Sequence, residues 1–284
     1  TAFRRQSPQK QVITVMKKIL IFNDISGLGN CSMSANLPVF SALGHYCMPV
    51  ITSAYSCQTG FGDFHCFAND KAGEFAKDIV AQWTPDAVYS GYCHNSDVVR
   101  QISEAKGALP LFADPVMGDN GKLYPVFDDD YVQQMKKLVR GACCITPNLT
   151  EACLLADEDY SRLQKHFNAP GFLGTCGKIF ADFTQKTGCG SAVITGIPCG
   201  ELIGNVVLRG NEPAAFVTND RVNVNYSGTG DVFSSVLLGT MLKGYGIVEA
   251  TQIAANFVGK AAEQTQRERR FGVDFCKVLH LLFR

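Results

Sequence analysis

Two glycines and a carboxylate follow a β-rich stretch late in the chain and open an apolar helical pattern. The segment consists of Gly228, Thr229, Gly230 and Asp231. Glycines let the backbone turn tightly, so several N–H groups can point one way at a helix N-terminus, where the helix dipole also stabilises an anion. Asp231 then has two interpretations, a helix cap or a general base beside an anion hole. The second suits phosphoryl transfer to an alcohol.

Further chemistry-bearing residues end three other predicted strands. Asp114 ends one strand and precedes a proline, while Asn148 and Glu151 lie three residues apart after another. If Asn148 opens a helix, the pair forms a capping box, or Glu151 joins Asp114 in binding Mg²⁺ directly or through water. Thr195, which is followed by Gly196 at the third strand end, is compatible with a phosphate contact.

The first strand runs into a glycine-rich segment, NDISGLGN at 23–30. Such a turn between a strand and a helix indicates an anion or small-ligand site, and Asp24 at the strand end points into the ligand crevice. A dinucleotide fingerprint would need glycine where Ser32 stands, with an acidic residue about 20 positions further on. The chain has neither, and it has no G-x-x-x-x-G-K-[ST] phosphate loop.

Short apolar runs that alternate with longer helical patterns position these residues. The predicted strands are 19–22, 48–53, 87–89, 111–113, 144–146, 191–195, 202–208 and 214–217. The predicted helices are 32–43, 72–83, 97–104, 130–139, 231–242, 247–264 and 275–282. This order predicts an α/β fold with a mostly parallel central sheet and helices on both faces. We expect one domain over 17–284, with 1–16 as an N-terminal extension outside the fold.

Composition excludes several classes of protein. The 284 residues contain 26 Lys+Arg and 26 Asp+Glu, and this zero net charge argues against nucleic acid as the main partner. No apolar run is long enough to predict a transmembrane helix, so no membrane partner is expected. The 12 cysteines lack C-x-x-C spacing, which favours reduced, mostly buried thiols in a cytoplasmic protein.

Three motifs in a fixed order resemble the ribokinase-like superfamily. They are DPVMGD at 114–119, ITPN-x-x-E at 145–151 and GTGD at 228–231. The resemblance covers about 18–266 and is strongest to the vitamin kinase branch, which comprises pyridoxal (pyridoxine, pyridoxamine) kinases and hydroxymethylpyrimidine kinases. It implies a ribokinase-like fold, ATP with Mg²⁺ as cofactors, a K⁺ site near the anion hole, a small-molecule substrate and a homodimer.

The same resemblance implies a role for each matching residue. Asp231 matches the catalytic base, and the anion hole matches Gly228, Thr229 and Gly230. The residues that match the family's nucleotide-binding positions are Asn148, Glu151, Thr195 and Asp114. Of these, Asp114 and Glu151 also match the positions that bind Mg²⁺. The substrate contacts match Asp24, Ser26, Thr59 and Tyr92.

The first loop departs from the pyridoxal kinase pattern and has a mixed character. Cys57 and Gln58 also stand where that pattern has Asn and His. Thr59, Tyr92 and the DPVMGD motif nevertheless favour a pyridoxal-type substrate. The expected activity is ATP-dependent phosphorylation of the 5′-hydroxymethyl group of pyridoxamine, pyridoxal or pyridoxine. The alternatives are hydroxymethylpyrimidine or its phosphate as substrate, and a non-catalytic vitamer-binding protein on the same fold.

Overall fold

The structure is a computed structural model that describes residues 16–283 except 168 and 223. The predicted N-terminal extension therefore lies outside the described residues, apart from Met16. Within the described part of the chain, no helix is long and apolar enough to cross a membrane. The cysteines described there are all unpaired.

Nine strands form one sheet, and two more form a separate hairpin. The strands of the described residues are β1 (Lys18–Ser26), β2 (Tyr46–Tyr55), β3 (Cys66–Ala68), β4 (Ala87–Ser90), β5 (Leu111–Ala113), β6 (Gly118–Asp119), β7 (Lys122–Leu123), β8 (Cys144–Ile145), β9 (Ser191–Cys199), β10 (Leu202–Arg209) and β11 (Ala215–Asp220). The order across the sheet is β11-β10-β9-β8-β5-β4-β1-β2-β3, and β6 pairs with β7.

The centre of the sheet is parallel from β9 to β2, and both ends are antiparallel. β1 pairs in parallel with β2 and β4, whereas β10 pairs antiparallel with β9 and β11 at one end and β3 with β2 at the other. The predicted fold class is confirmed, including the additional strands late in the chain. The carboxyl ends of the parallel strands meet at one edge, where ligands of such sheets bind.

Helices cover both faces of the sheet. They are α1 (Met33–Ala42), α2 (Ala72–Gln82), α3 (Ser96–Ala105), α4 (Asp129–Val139), α5 (Leu149–Ala156), α6 (Tyr160–Gln164), α7 (Phe172–Ile179), α8 (Phe183–Thr187), α9 (Thr229–Leu242) and α10 (Ile247–Gln264). In β1, Leu20 and Phe22 face the cluster built by α2 to α5, while Ile19 and Ile21 face α1 and α9. Because a buried parallel strand presents apolar side chains to both faces, β1 has the continuous apolar run that predicted it.

Several elements differ from the sequence-based prediction. β1 continues to Ser26 rather than ending at Phe22, with a register shift against β2 between Asn23 and Ile25. Asp24 and Ser26 therefore lie within an irregular strand and not in the following turn. Helices α6 to α8 and strands β3, β6 and β7 were not predicted, since each is too short for a clear period. The short helix predicted near 275–282 is confirmed and is a 3₁₀ helix, Phe275–Leu282.

Candidate active site

The carboxylate of Asp231, in the first turn of α9, accepts hydrogen bonds from outside this helix as well as from its own backbone N–H. Its Oδ1 accepts a hydrogen bond from Asn23 Nδ2 at 3.2 Å, and the backbone N–H of Ser32 donates to the same carboxylate. Gly228 occupies the N-cap position of α9, and no side chain caps this helix. Burial raises the pKa of Asp231, while both hydrogen bonds oppose that rise and favour the ionised form. Asp231 is therefore not the cap of α9, and its role as a general base stays a prediction.

Gly228 and Gly230 shape the N-terminus of α9. Gly228 has φ +78°, and a side chain there would overlap the carbonyl oxygen of Asn30. The Thr229 hydroxyl donates to the carbonyl oxygen of Tyr226 at 3.1 Å. A Cβ at Gly230 would lie 3.8 Å from Asp114 Oδ2, so the exposed N-terminus of the helix opens toward Asp114. The amides of this turn and the helix dipole together suit a bound anion.

Asp114 is a buried carboxylate that follows β5. It is 7% exposed, and its Oδ2 accepts from the Ser234 hydroxyl at 3.4 Å. Burial, and then the negative charge of Asp231, raises the pKa of Asp114 to about 8. Such a site favours either a proton or a cation beside the carboxylate.

Asn148 and Glu151 form a capping box at the start of α5. Both oxygens of Glu151 accept backbone N–H groups, Oε1 from Met117 at 3.1 Å and Oε2 from Asn148 at 2.8 Å. Asn148 also forms a parallel bridge with Thr195, whose N–H donates to the carbonyl oxygen of Pro147 at 2.9 Å. Three predicted nucleotide contacts are thus neighbours, although β9 continues to Cys199 and does not end at Thr195, as the sequence predicted.

The acidic groups near α9 are suited to Mg²⁺ only with additional ligands. Burial and then the charge of Asp114 raise the pKa of Glu151 well above its ordinary value, so a cation there would relieve repulsion between the two carboxylates. No group of three or more His, Cys, Asp or Glu side chains among the described residues has the arrangement of a metal site. Mg²⁺ commonly binds one or two carboxylates and takes its remaining ligands from water and phosphate. The donor set fits that pattern.

Asp24 and Tyr92, whose backbone N–H groups both donate to Asn23, form one wall beside Asp231. Burial raises the pKa of Asp24 to about 7, while a hydrogen bond from the Ser32 hydroxyl opposes the rise. The hydroxyl of Tyr92 lies 3.2 Å from that of Tyr55, and the two rings meet edge to face. Burial is the main cause of a raised Tyr92 pKa, and the charge of Asp24 contributes to it. This wall offers an aromatic surface and polar groups, which suits a flat heteroaromatic ring.

The other two predicted substrate residues make different contacts. Ser26 is buried, and its hydroxyl hydrogen-bonds the thiol of Cys31. Thr59 begins an exposed 3₁₀ turn, Thr59–Phe61, and in the described part of the chain its side chain makes no hydrogen bond to the other predicted residues. The turn is tied to the first loop because the N–H of Gln58 donates to the Leu28 carbonyl at 2.8 Å.

A segment close to the C-terminal end, 269–273, connects these loops. The N–H of Asn30 donates to Phe271 O at 3.0 Å, and the N–H of Ser227 donates to Arg269 O at 3.2 Å. The ring of Phe271 packs edge-on against Phe61 at 5.1 Å, with the Arg270 guanidinium over both rings. The first loop, the 59–61 turn and the N-terminus of α9 are therefore held by one stretch of chain.

Sequence reasoning missed the polar residues behind the site. Asn23, Asn36 and Ser235 are fully buried and hydrogen-bonded to one another or to Asp231. Ser32, with φ 52°, reaches both Asp24 and Asp231. A polar side chain on an apolar helix face, as at Asn36, is the one signal that could have indicated this network.

Comparison with known proteins places the chain among vitamin kinases. A sequence profile described as phosphomethylpyrimidine kinase matches residues 27–273. A hydroxymethylpyrimidine/phosphomethylpyrimidine kinase of Bacillus subtilis is 25% identical over 260 residues, covering 89% of this chain and 91% of that protein. A Bacteroides thetaiotaomicron protein assigned as a phosphomethylpyrimidine kinase, in a crystal form with pyridoxal, is 28% identical with a TM-score of 0.82, covering 95% of this chain and 96% of that one. A pyridoxal kinase of Lactobacillus plantarum is 27% identical with a TM-score of 0.83, covering 94% and 97%.

The fold, the carboxylate beside a helix N-terminus and these relatives define the class of protein. It is a kinase that transfers a phosphoryl group to an alcohol. The chain belongs to the phosphomethylpyrimidine kinase family. The enzyme class and the ribokinase-like vitamin kinase relationship predicted from the sequence motifs are confirmed.

Proposed function

We propose that the protein is an ATP-dependent kinase of vitamin B6, which phosphorylates the 5′-hydroxymethyl group of pyridoxal, pyridoxine or pyridoxamine. The observation that carries the proposal is the placement of Asp231. Its carboxylate is held by Asn23 and Ser32 beside the N-terminus of α9. It lies between the Asp24–Tyr92 wall, suited to a ring, and the Asp114–Glu151 edge, suited to a metal-bound triphosphate.

In the proposed reaction Asp231 accepts the proton of the substrate hydroxyl. The alcohol oxygen then forms a bond to the γ-phosphorus of ATP, and the bond from that phosphorus to the β,γ-bridging oxygen breaks to release ADP. The amides of Gly228, Thr229 and Gly230 hold the phosphoryl oxygens while their charge develops. Asp114 and Glu151 would hold Mg²⁺, which neutralises charge on the phosphates. Asn148 and Thr195, which pair with each other after β8 and within β9, orient the nucleotide.

Two observations support a pyridoxal-type ring over a pyrimidine. The hydrogen-bonded pair of Tyr55 and Tyr92 gives the wall hydroxyl groups as well as aromatic surface. Relatives that span nearly the whole chain include a pyridoxal kinase and a protein crystallised with pyridoxal. The second candidate is hydroxymethylpyrimidine or its phosphate, favoured by the family profile and the Bacillus subtilis relative.

A substrate panel tests the proposal. The purified protein is incubated with ATP and Mg²⁺ and with each B6 vitamer or hydroxymethylpyrimidine, and both ADP and the phosphorylated product are measured. The expected result is a higher kcat/KM for at least one vitamer than for the pyrimidine. The reverse ranking would establish the second candidate. Tight vitamer binding with no ADP from any acceptor would indicate a non-catalytic binding protein.

We further propose that the enzyme works as a homodimer with a K⁺ site near the anion hole. Light scattering of the purified protein tests the first statement, and a monomeric mass would refute it. Activity compared in K⁺ and Na⁺ buffers of equal ionic strength tests the second, and equal rates would refute it.

A further inference from the structure

Asn23 is a completely buried side chain that uses its full hydrogen-bonding capacity. Its Nδ2 donates to Asn36 Oδ1 at 2.7 Å and to Asp231 Oδ1 at 3.2 Å. Its Oδ1 accepts from the backbone N–H of Asp24 at 3.0 Å and from that of Tyr92 at 2.9 Å. One amide group therefore contacts the proposed base on one side and the backbone of both ring-wall residues on the other.

The direction of these hydrogen bonds follows from a closed ring of partners. The Ser235 hydroxyl donates its proton to the backbone carbonyl of Asp231 at 2.7 Å. Its oxygen can then only accept from Asn36, whose Nδ2 lies 2.8 Å away. The Asn36 carbonyl oxygen consequently faces Asn23, which must present Nδ2 and not Oδ1 to it. The second N–H of that same Nδ2 is left for the Asp231 carboxylate.

The backbone passes close to the Asn23 amide at Gly91. A Cβ on Gly91 would lie 2.5 Å from Asn23 Nδ2, so glycine is required where the chain passes over the amide. Asn23 also lies where the register of β1 against β2 shifts. The irregularity brings the Asp24 N–H toward Asn23 Oδ1 instead of leaving it wholly within the regular ladder.

We propose that Asn23 is a positioning residue that sets the place of Asp231 relative to the substrate ring. This inference rests on the proposed function, because it assigns Asp231 and the Asp24–Tyr92 wall their roles. Asn36 and Ser235 lock the orientation of the amide from the Asp231 side. Reaction rates fall steeply when reacting groups are misplaced by an ångström, and one rigid amide that spans both partners removes that freedom.

Two variants distinguish the contact of Asn23 with Asp231 from its contacts with the backbone of Asp24 and Tyr92. Asn23→Ala removes all four hydrogen bonds, so we expect kcat to fall by about 10²-fold and the vitamer KM to rise. Ser235→Ala acts only on the Asp231 side, so we expect kcat to fall by about tenfold with the vitamer KM unchanged. The control is Asn205→Ala, which removes another buried amide, one that donates to Val217 O on β11. Its kinetics should match those of the wild type.

A double-mutant cycle decides whether Asn23 acts through Asp231. In an Asp231→Asn background, Asn23→Ala should lower the residual kcat by less than twofold, because the partner carboxylate is already lost. An undiminished effect in that background, or an Asn23→Ala enzyme with wild-type kcat, would overturn the proposal.

Crystal structures of the wild type and Asn23→Ala give a readout independent of activity. If the wild type phosphorylates none of the acceptors, the proposed function fails. The position of the Asp231 carboxylate still tests whether Asn23 holds it in place. A carboxylate turned away from its wild-type place in Asn23→Ala supports the proposal, and an unmoved one refutes it. If Asn23→Ala does not fold, the same comparison is made with Ser235→Ala.

Discussion

Asn148 and Glu151 hydrogen-bond to each other in both directions. The N–H of Glu151 donates to Asn148 Oδ1 at 3.0 Å, and the N–H of Asn148 donates to Glu151 Oε2 at 2.8 Å. The capping-box interpretation of this pair is thus confirmed, while a role in metal binding stays a proposal. The two roles are compatible, because the three backbone N–H groups of Asn148, Met117 and Gly118 leave one of the carboxylate's four lone pairs for a cation or a metal-bound water.

Separate substitutions of Asn148 and Glu151 should distinguish an effect on stability from an effect on the Mg²⁺ requirement. Asn148→Ala should lower the free energy of unfolding by about 1 kcal/mol, since it removes the cap of α5. Glu151→Gln should raise the Mg²⁺ concentration needed for half-maximal activity, because it removes a negative charge near the triphosphate. Thermal unfolding and Mg²⁺ titration of activity measure the two effects.

The control for this pair is Asn95→Ala, which removes a cap of the same kind from α3. It should lower stability to a similar extent and leave the Mg²⁺ requirement unchanged. An unaltered Mg²⁺ requirement in Glu151→Gln would contradict the metal assignment.

Replacing the proposed base should abolish turnover without abolishing binding. Asp231→Asn should lower kcat by about 10²- to 10⁴-fold, the usual contribution of general base catalysis. The amide keeps the size of the side chain, so the dissociation constant of the vitamer, measured by calorimetry, should change little. Asp129→Asn removes a carboxylate from the first turn of α4 and should have wild-type kinetics. A fully active Asp231→Asn enzyme would remove Asp231 from the mechanism.

The buried carboxylates should make the ligand-free protein less stable as the pH rises. Burial raises the pKa of Asp24 to about 7 and that of Asp114 to about 8, from an ordinary value of 3.8. Between the ordinary pKa of 3.8 and the raised pKa of each group, the folded protein holds a proton that the unfolded chain has released. The free energy of unfolding should therefore fall from about pH 4 to about pH 8.

Asp114→Asn removes one of these groups, so at about pH 8 the variant should unfold at a higher temperature than the wild type. Thermal unfolding without Mg²⁺ or nucleotide measures the effect. Asp78→Asn, an exposed position on α2, is the control and should follow the wild-type pH dependence. A variant that is no more stable than the wild type at the upper pH would argue against a repulsive carboxylate cluster.

Gly228 should tolerate no side chain, because two separate constraints meet there. Its φ of +78° disfavours other residues, and a Cβ would overlap Asn30 O. Gly141 has a φ of +79° with open space around it, so Gly141→Ala carries the backbone strain without the overlap. We expect Gly228→Ala to lose ATP binding and turnover and Gly141→Ala to lose only stability. Equal ATP affinity in the two variants would show that the overlap is accommodated.

The sequence predicted the site wherever a motif lies at the end of one strand. Asp114 and Asn148 follow the parallel strands β5 and β8, so the alternation of strands and helices sufficed to bring them to one edge. Thr195 lies beside Asn148 but within β9, which continues to Cys199. The glycines before Asp231 likewise predicted a turn and a helix start. These features are local, and local patterns can be recognised in a single sequence.

The contacts behind the site could not be predicted in this way. Asn23 and Asp231 are 208 residues apart, and no periodicity links their positions. The apolar run predicts that the strand carrying Asn23 ends at Phe22, because polar residues interrupt the run although the strand continues to Ser26. The conformation of Ser32 could not be predicted either. Its positive φ is maintained by tertiary contacts, and a serine in the sequence does not indicate such a backbone.

The segment 269–273 has a consequence for the order in which the enzyme is made. It bonds to Asn30 near one end of the chain and to Ser227 near the other, so both loops lack their common support until this segment has been synthesised. Chains that stop after α10 should therefore lack the support of both loops, and nucleotide affinity should appear only in chains that include 269–273.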